Sequence, residues 1–172
     1  MNCQLLFRYS EHVSETRWLN DEEQRTWRAF LWAVQLLQSQ LDRELQADAG
    51  MPLAYYVLLA MLSEAPERML RMSDLAGVTQ FSRSRLSHAV DKLEKLGWVE
   101  RLECPSDARG AFARLTDAGF SVLERASRGH VEGVRRHLFD QLTPDQVKEL
   151  GQIGEAVVEH LGRQAAGGAP PK

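Results

Sequence analysis

The sequence predicts a mainly α-helical fold carrying one small β-hairpin. Three observations lead there. Long segments toward both ends place apolar residues every three or four positions, two shorter serine-capped helices lie between them, and two short strand-forming runs bracket a cluster of Pro, Ser, Asp and Gly. With 172 residues, 44% of them apolar and 26% charged, the chain is long enough for one domain with a sizeable core.

Residues 1–19 have no sustained period and read as an arm. Asn20 then supplies an N-cap with Glu23 three residues on, and Trp27, Phe30, Leu31, Val34, Leu37, Leu41 and Leu45 follow at helical spacing. Gly50 and Pro52 end this helix, which spans about seven turns. The segment from Leu53 to Ser63 is apolar almost all round, as in a helix buried on most sides, and Pro66 ends it. Ser73 is positioned to cap a short helix through Leu75 and Ala76. Ser82 opens a longer one with Leu86, Ala89, Val90, Leu93 and Leu96 on one side and Gly97 at its end.

After Gly97, WVERLE and AFARL form two strands around the turn cluster CPSDARG, which makes a hairpin with Arg109 at its tip. Thr116 caps a helix carrying Val122, Leu123, Ala126, Val131, Val134 and Leu138. Thr143, Pro144 and Gln146 open the last helix, whose apolar positions are Val147, Leu150, Ile153, Val157 and Leu161. The tail AAGGAPPK reads as disordered.

The net charge is −3, which weighs against a nucleic-acid partner only if the charge is spread evenly. From Arg71 to Arg114 there are eight Lys and Arg against six Asp and Glu, so this stretch is net positive and the rest of the chain more acidic. No run of about 18 apolar residues exists to span a bilayer and no secretory leader pattern opens the chain, so a cytoplasmic protein without membrane contact is expected. Cys3 and Cys104 have neither CxxC spacing nor a nearby histidine pair, so no metal site and no cofactor are expected. Phosphate loops, GxSxG and HExxH are missing from the sequence, which argues against an enzyme.

Two short helices followed directly by a hairpin and flanked by long helices have the layout of a winged helix-turn-helix. The second short helix starts with Ser82, Arg83, Ser84, Arg85, Ser87 and His88 opposite its leucines. Arginine there can pair with guanine, serine can donate to phosphate or base, and the helix N-terminus attracts phosphate. These six residues are the candidate major-groove contacts. Arg109, beside Gly110, is the candidate for the minor groove, whose narrow walls focus negative potential on a guanidinium. The blander reading of SRSRLSH is a capped, solvated helix start.

The stretch from Met72 to Gly119 resembles the multiple antibiotic resistance regulator (MarR) family. The resemblance rests on Ser73-Asp74-Leu75-Ala76, on Leu93 and Leu96-Gly97, on Asp107-Ala108-Arg109-Gly110, and on Leu115-Thr116-Asp117-Ala118-Gly119. It implies a homodimeric regulator, commonly a repressor, bound to a pseudo-palindromic site in double-stranded DNA. Residues 20–50 and 116–163 would be dimerisation helices, 51–115 the DNA-binding lobe and 164–172 a tail. Asp107 would hold the wing's shape, and Ala108 stands where many relatives carry a second basic residue. The resemblance also implies a possible small aromatic effector, for which Trp27, Trp32, Tyr55, Tyr56 and Met61 are candidate lining residues, although helical spacing suits them equally to a core. Two alternatives stay open: a redox-responsive regulator acting through Cys3 or Cys104, and a winged helix that binds protein.

Overall fold

The computed structural model describes the backbone of residues 16–104 and 107–167, and the side chains of 16–103 and 110–162. Cys3 and most of the arm therefore lie outside the described residues, as do the side chains of Cys104, Asp107 and Arg109. Six helices and a three-stranded sheet follow in the order α1 (Asp21–Ala49), α2 (Leu53–Glu64), β1 (Met69–Arg71), α3 (Met72–Thr79), α4 (Arg83–Lys95), β2 (Val99–Cys104), β3 (Asp107–Leu115), α5 (Asp117–His137) and α6 (Pro144–Gly167). Two compact units divide the chain between Leu36 and Leu37, within α1. Among the described residues no single helix is long and apolar enough to cross a membrane.

In the first unit, α1 opens on a reciprocal cap. The Asn20 amide donates to Glu23 Oε2 at 2.8 Å, and the Glu23 amide donates to Asn20 Oδ1 at 2.9 Å. Trp27 and Phe30 stack with centroids 6.3 Å apart, and both are exposed along with Leu31, Trp32 and Val34.

The core of the second unit is built from α2, α3, α4, the sheet and the facing sides of α1 and α5. Leu58, Leu59, Leu62, Leu75, Val90 and Leu93 are fully buried in it. Gly50, at a φ of +60°, ends α1 as its left-handed position requires. Pro52 offers no side-chain cap to α2, and Asp42 Oδ1 takes the Leu53 N–H instead, at 2.8 Å.

The sheet departs from the two-strand expectation. Met69–Arg71 forms a third strand, giving the order β1-β3-β2, with both neighbours of β3 antiparallel. A three-residue strand is too short to alternate visibly, and it follows a tight turn in which Glu67 and Arg68 both take a φ of 54°. Ser73 is also corrected: α3 begins at Met72 after Arg71, and the Ser73 hydroxyl donates to Asp74 at 3.1 Å rather than capping the helix. At the other end, α6 runs to Gly167, past the expected start of the tail at 164; residues 168–172 lie outside the described residues.

The junction between α4 and α5 explains the Leu-Thr-x-x-Gly motif. Gly97 sits at a φ of +72°, its N–H bonding to Glu94 and that of Trp98 to Leu93, the pattern that closes a helix on glycine. Thr116 then ties both ends. Its Oγ1 donates to the Gly97 carbonyl at 2.7 Å and accepts from the Gly119 N–H at 3.0 Å, while its amide donates to the Trp98 carbonyl at 3.0 Å. Gly119 is buried, and the position needs glycine because that Trp98 carbonyl lies where a Cβ would be.

Candidate nucleic-acid interface

Helix α4 presents the candidate surface. Ser82 caps it as predicted, its Oγ accepting the Arg85 N–H at 3.2 Å. Leu86, Ala89, Val90 and Leu93 fix its inner side in the core, so the outer side is held without depending on its own contacts. Ser82, Arg83, Ser84, Arg85 and His88 are exposed in the first turns, brought together as the sequence pattern suggests. Ser84 and His88, four residues apart, share one side of the helix. Among the described residues neither Arg83 nor Arg85 has a carboxylate partner, which leaves both guanidinium groups available to an external anion.

Ser87 is placed differently. It is half-buried, and its carbonyl and hydroxyl receive Arg101 Nη2 at 3.0 and 3.4 Å. Arg101 on β2 also bridges to Asp91 Oδ1 at 2.6 Å and approaches Glu94 Oε2 at 3.7 Å, while its backbone N–H donates to Glu94 Oε1 at 3.2 Å. One side chain thus pins the wing strand to the middle of α4. Arg101 carries no motif of its own, yet its position in the strand is a signal. Strand alternation puts Arg101 on the same side as buried Val99 and opposite buried Ala113, and a charge at such an inward register needs a partner.

The wing is longer and less regular than a simple hairpin. Strand pairing runs from Val99 with Leu115 to Glu103 with Ala111, then jumps to Cys104 with Asp107. Residues 108–110 are left without partners on β2, a bulge that bends the strand. Arg109 lies within this bulge, inside β3, rather than at a tip beyond it. Asp107 pairs through its backbone at the far end of the ladder.

A cavity of about 330 Å³ lies between α1 and α5, bordered by Leu41, Glu44, Asp48, Arg125 and His130. None of the five aromatic and Met candidates from the sequence lines it, although Tyr56 meets the His130 ring with centroids 4.2 Å apart. Burial holds His130 below the ordinary histidine range, and its Nδ1 has no partner among the described residues. Glu44 accepts from Gln40 Nε2 at 2.7 Å, lies 2.7 Å from His137 Nε2 and is 3.6 Å from Arg136. The Gln40 hydrogen bond, then that of His137, holds its carboxyl below the usual range against a smaller desolvation effect. A carboxylate lowered in the folded state stabilises the fold above its unfolded value of about 4.5 and ceases to do so as pH falls through the folded value. Chemical denaturation of the wild type and Glu44→Gln from pH 7 to 3 is therefore expected to show a wild-type advantage that shrinks below about pH 4.5. An advantage that grows on acidification would contradict this account of Glu44.

The comparisons with known proteins agree with this geometry. The MarR family model matches residues 49–110. Sco3205, a MarR family transcriptional regulator from Streptomyces coelicolor solved in complex with DNA, is 56% identical, with a TM-score of 0.81 over 85% of this chain and 92% of that one. The chain belongs to the MarR family. AbsC, a second Streptomyces coelicolor regulator of the family, is 42% identical with a TM-score of 0.80, over 87% of this chain and all of its own. The transcriptional regulator PecS of Dickeya dadantii is 28% identical over 89 residues, 52% of this chain, and the match spans about half of its length, 53%. This MarR-family chain therefore has the winged-helix fold that its caps, leucine face and hairpin predict.

Proposed function

We propose that this MarR-family chain regulates transcription as a homodimer that places α4 of each protomer in successive major grooves of a pseudo-palindromic site. The observation that carries the reading is the first two turns of α4: five exposed polar residues, two of them unpaired arginines among the described residues, on a helix locked by four core residues and Arg101. The DNA complex of Sco3205 supports the same use of the fold. Ser82, Ser84, Arg83, Arg85 and His88 face the groove in this reading, and Ser87 supports them through Arg101. Arg109 serves the minor groove from the wing bulge, and Asp107 holds the wing's end.

Dimerisation is supported by apolar surface that a single chain leaves in water. On α6, Ile153, Val157, Val158 and Leu161 are all more than half exposed, and α1 separately exposes Trp27, Phe30, Leu31 and Trp32. Such faces mark contact surfaces rather than solvated helices. Repression by occluding a promoter follows as the simplest output. Release by a small effector is a further part of this reading, for which the α1–α5 cavity of about 330 Å³, at the lower end of small-molecule sites, offers space but not the aromatic lining expected from the sequence.

Binding to duplex DNA at varied salt tests the central part of this reading. A dimer touching about six phosphates should lose roughly a thousand-fold in affinity between 50 and 200 mM salt. A protein-only adaptor would show no duplex binding to lose, and that result would overturn the proposal.

A further inference from the structure

Phe81 precedes the Ser82 cap, is half-buried, and packs against the core cluster. A cation also lies over its ring. The Arg85 guanidinium carbon lies 4.2 Å from the ring centroid. Two other arginines lie over rings, Arg68 over Phe120 and Arg71 over Phe112, but Arg68 also bonds Asp117 at 3.1 Å, and Arg71 has a further interaction of its own. Arg85 differs in having, among the described residues, the ring without a carboxylate. Arg83, two residues earlier and therefore about half a turn round the helix, has neither among the described residues.

A guanidinium over an aromatic face is held by the ring's negative quadrupole while its N–H donors, which lie in its own plane, stay unspent. The ring restricts the long side chain before binding, so less rotamer freedom is lost when the donors meet a base. A carboxylate partner would instead occupy those donors and set a desolvation cost against every base contact.

We propose that Phe81 is the positioning residue that makes Arg85 the sequence-reading arginine of α4, and that Arg83 contacts the DNA backbone. The inference rests on the DNA-binding reading of α4. It assigns Arg85 the paired hydrogen bonds to a guanine edge in each half-site, and it makes the core-anchored Phe81 ring part of the specificity apparatus. Phe81 also occupies the place from which an apolar side chain staples a helix start, so a purely structural role has to be separated from this one.

The test uses the full chain and the duplex that it selects from a random DNA pool, together with duplexes altered at each base pair. Arg85→Ala, which removes one such pair from each half-site, should lower affinity for the selected duplex by roughly thirty-fold or more and flatten discrimination at one base pair per half-site. Arg83→Ala, which removes one phosphate contact from each half-site, should weaken all duplexes alike and reduce the salt slope by about two. Phe81→Leu keeps an apolar staple and removes the ring, and should cost about two- to five-fold on the selected duplex. Phe81→Tyr should restore the loss. In an Arg85→Ala background Phe81→Leu should have no further effect.

Several results would overturn the inference while leaving DNA binding intact. These are equal losses for Phe81→Leu and Phe81→Tyr, an undiminished Phe81→Leu effect without Arg85, or discrimination lost with Arg83 and kept without Arg85. Failure of the wild type to select any duplex would overturn the DNA-binding reading itself. Thermal midpoints of the variants, expected within a few degrees of wild type, separate a loss of contact from a loss of fold.

Discussion

Gly119→Ala is expected to be strongly destabilising, although alanine is the better helix former. A Cβ at this position would overlap the Trp98 carbonyl and approach Leu115 Cδ1 to 2.8 Å. Neither neighbour can yield cheaply. The Trp98 carbonyl already accepts the Thr116 amide, and Leu115 is buried and paired with Val99 in the ladder. Relief requires moving the start of α5 away from the end of α4, which would stretch the Thr116 bonds to Gly97 and Gly119. Overpacking of this kind costs about 1–3 kcal/mol or more, set against a helix-propensity gain of about 1 kcal/mol. With the cap strained as well, a net loss of about 2 kcal/mol is expected, or a fall of roughly 4–8 °C in thermal midpoint for a chain of this size. Gly77→Ala is the internal control: a Cβ there meets nothing within 4 Å, so the midpoint should hold or rise. Equal midpoints for Gly119→Ala and wild type would show that the α4–α5 junction is looser than its contacts imply.

Arg101→Ala is expected to affect binding more than stability. The side chain is about a third exposed, and Asp91 and Glu94 about two-fifths, so solvent screens its ion pairs and the stability loss should stay near 1–2 kcal/mol. The positional effect is larger. Without Arg101, the Ser87 carbonyl and two carboxylates on α4 lose their shared side-chain partner, and the tie of β2 to the helix that carries Arg83 and Arg85 is reduced to the backbone N–H of residue 101 on Glu94. Two uncompensated negative charges would also stand near the phosphate backbone. Affinity for the selected duplex should fall on the order of ten-fold, equivalent to about 1.4 kcal/mol. Arg101→Lys keeps the charge but not the fork that reaches three acceptors, so it should recover only part of the loss. Full recovery by lysine would reduce the role of Arg101 to its charge alone.

Much of this arrangement is legible in the sequence because its signals are local. Caps at Asn20, Ser82, Thr116 and Thr143 all form, and the α4 apolar face is buried at Leu86, Ala89, Val90 and Leu93, while Leu96, expected on the same face, is the C-cap and is exposed. Features that depend on contacts distant in sequence are less visible. β1 is too short to show a period and exists because β3 has an open edge; Arg101 becomes a clamp only when β2 folds against α4. The polar start of α4 reads directly from SRSRLSH, but the division of labour between Arg83 and Arg85 depends on where the Phe81 ring comes to rest. Gly119 appears in a recognisable motif, whereas its physical reason, the Trp98 carbonyl, lies 21 residues earlier.

Selection of bound sequences from a random duplex pool tests the central claim most directly, because it reads DNA binding and symmetry in one result. The account predicts enrichment of a pseudo-palindrome whose half-sites are centred about one helical turn, roughly 10 base pairs, apart. Absence of enrichment, or enrichment of a single half-site without its symmetric mate, would contradict it.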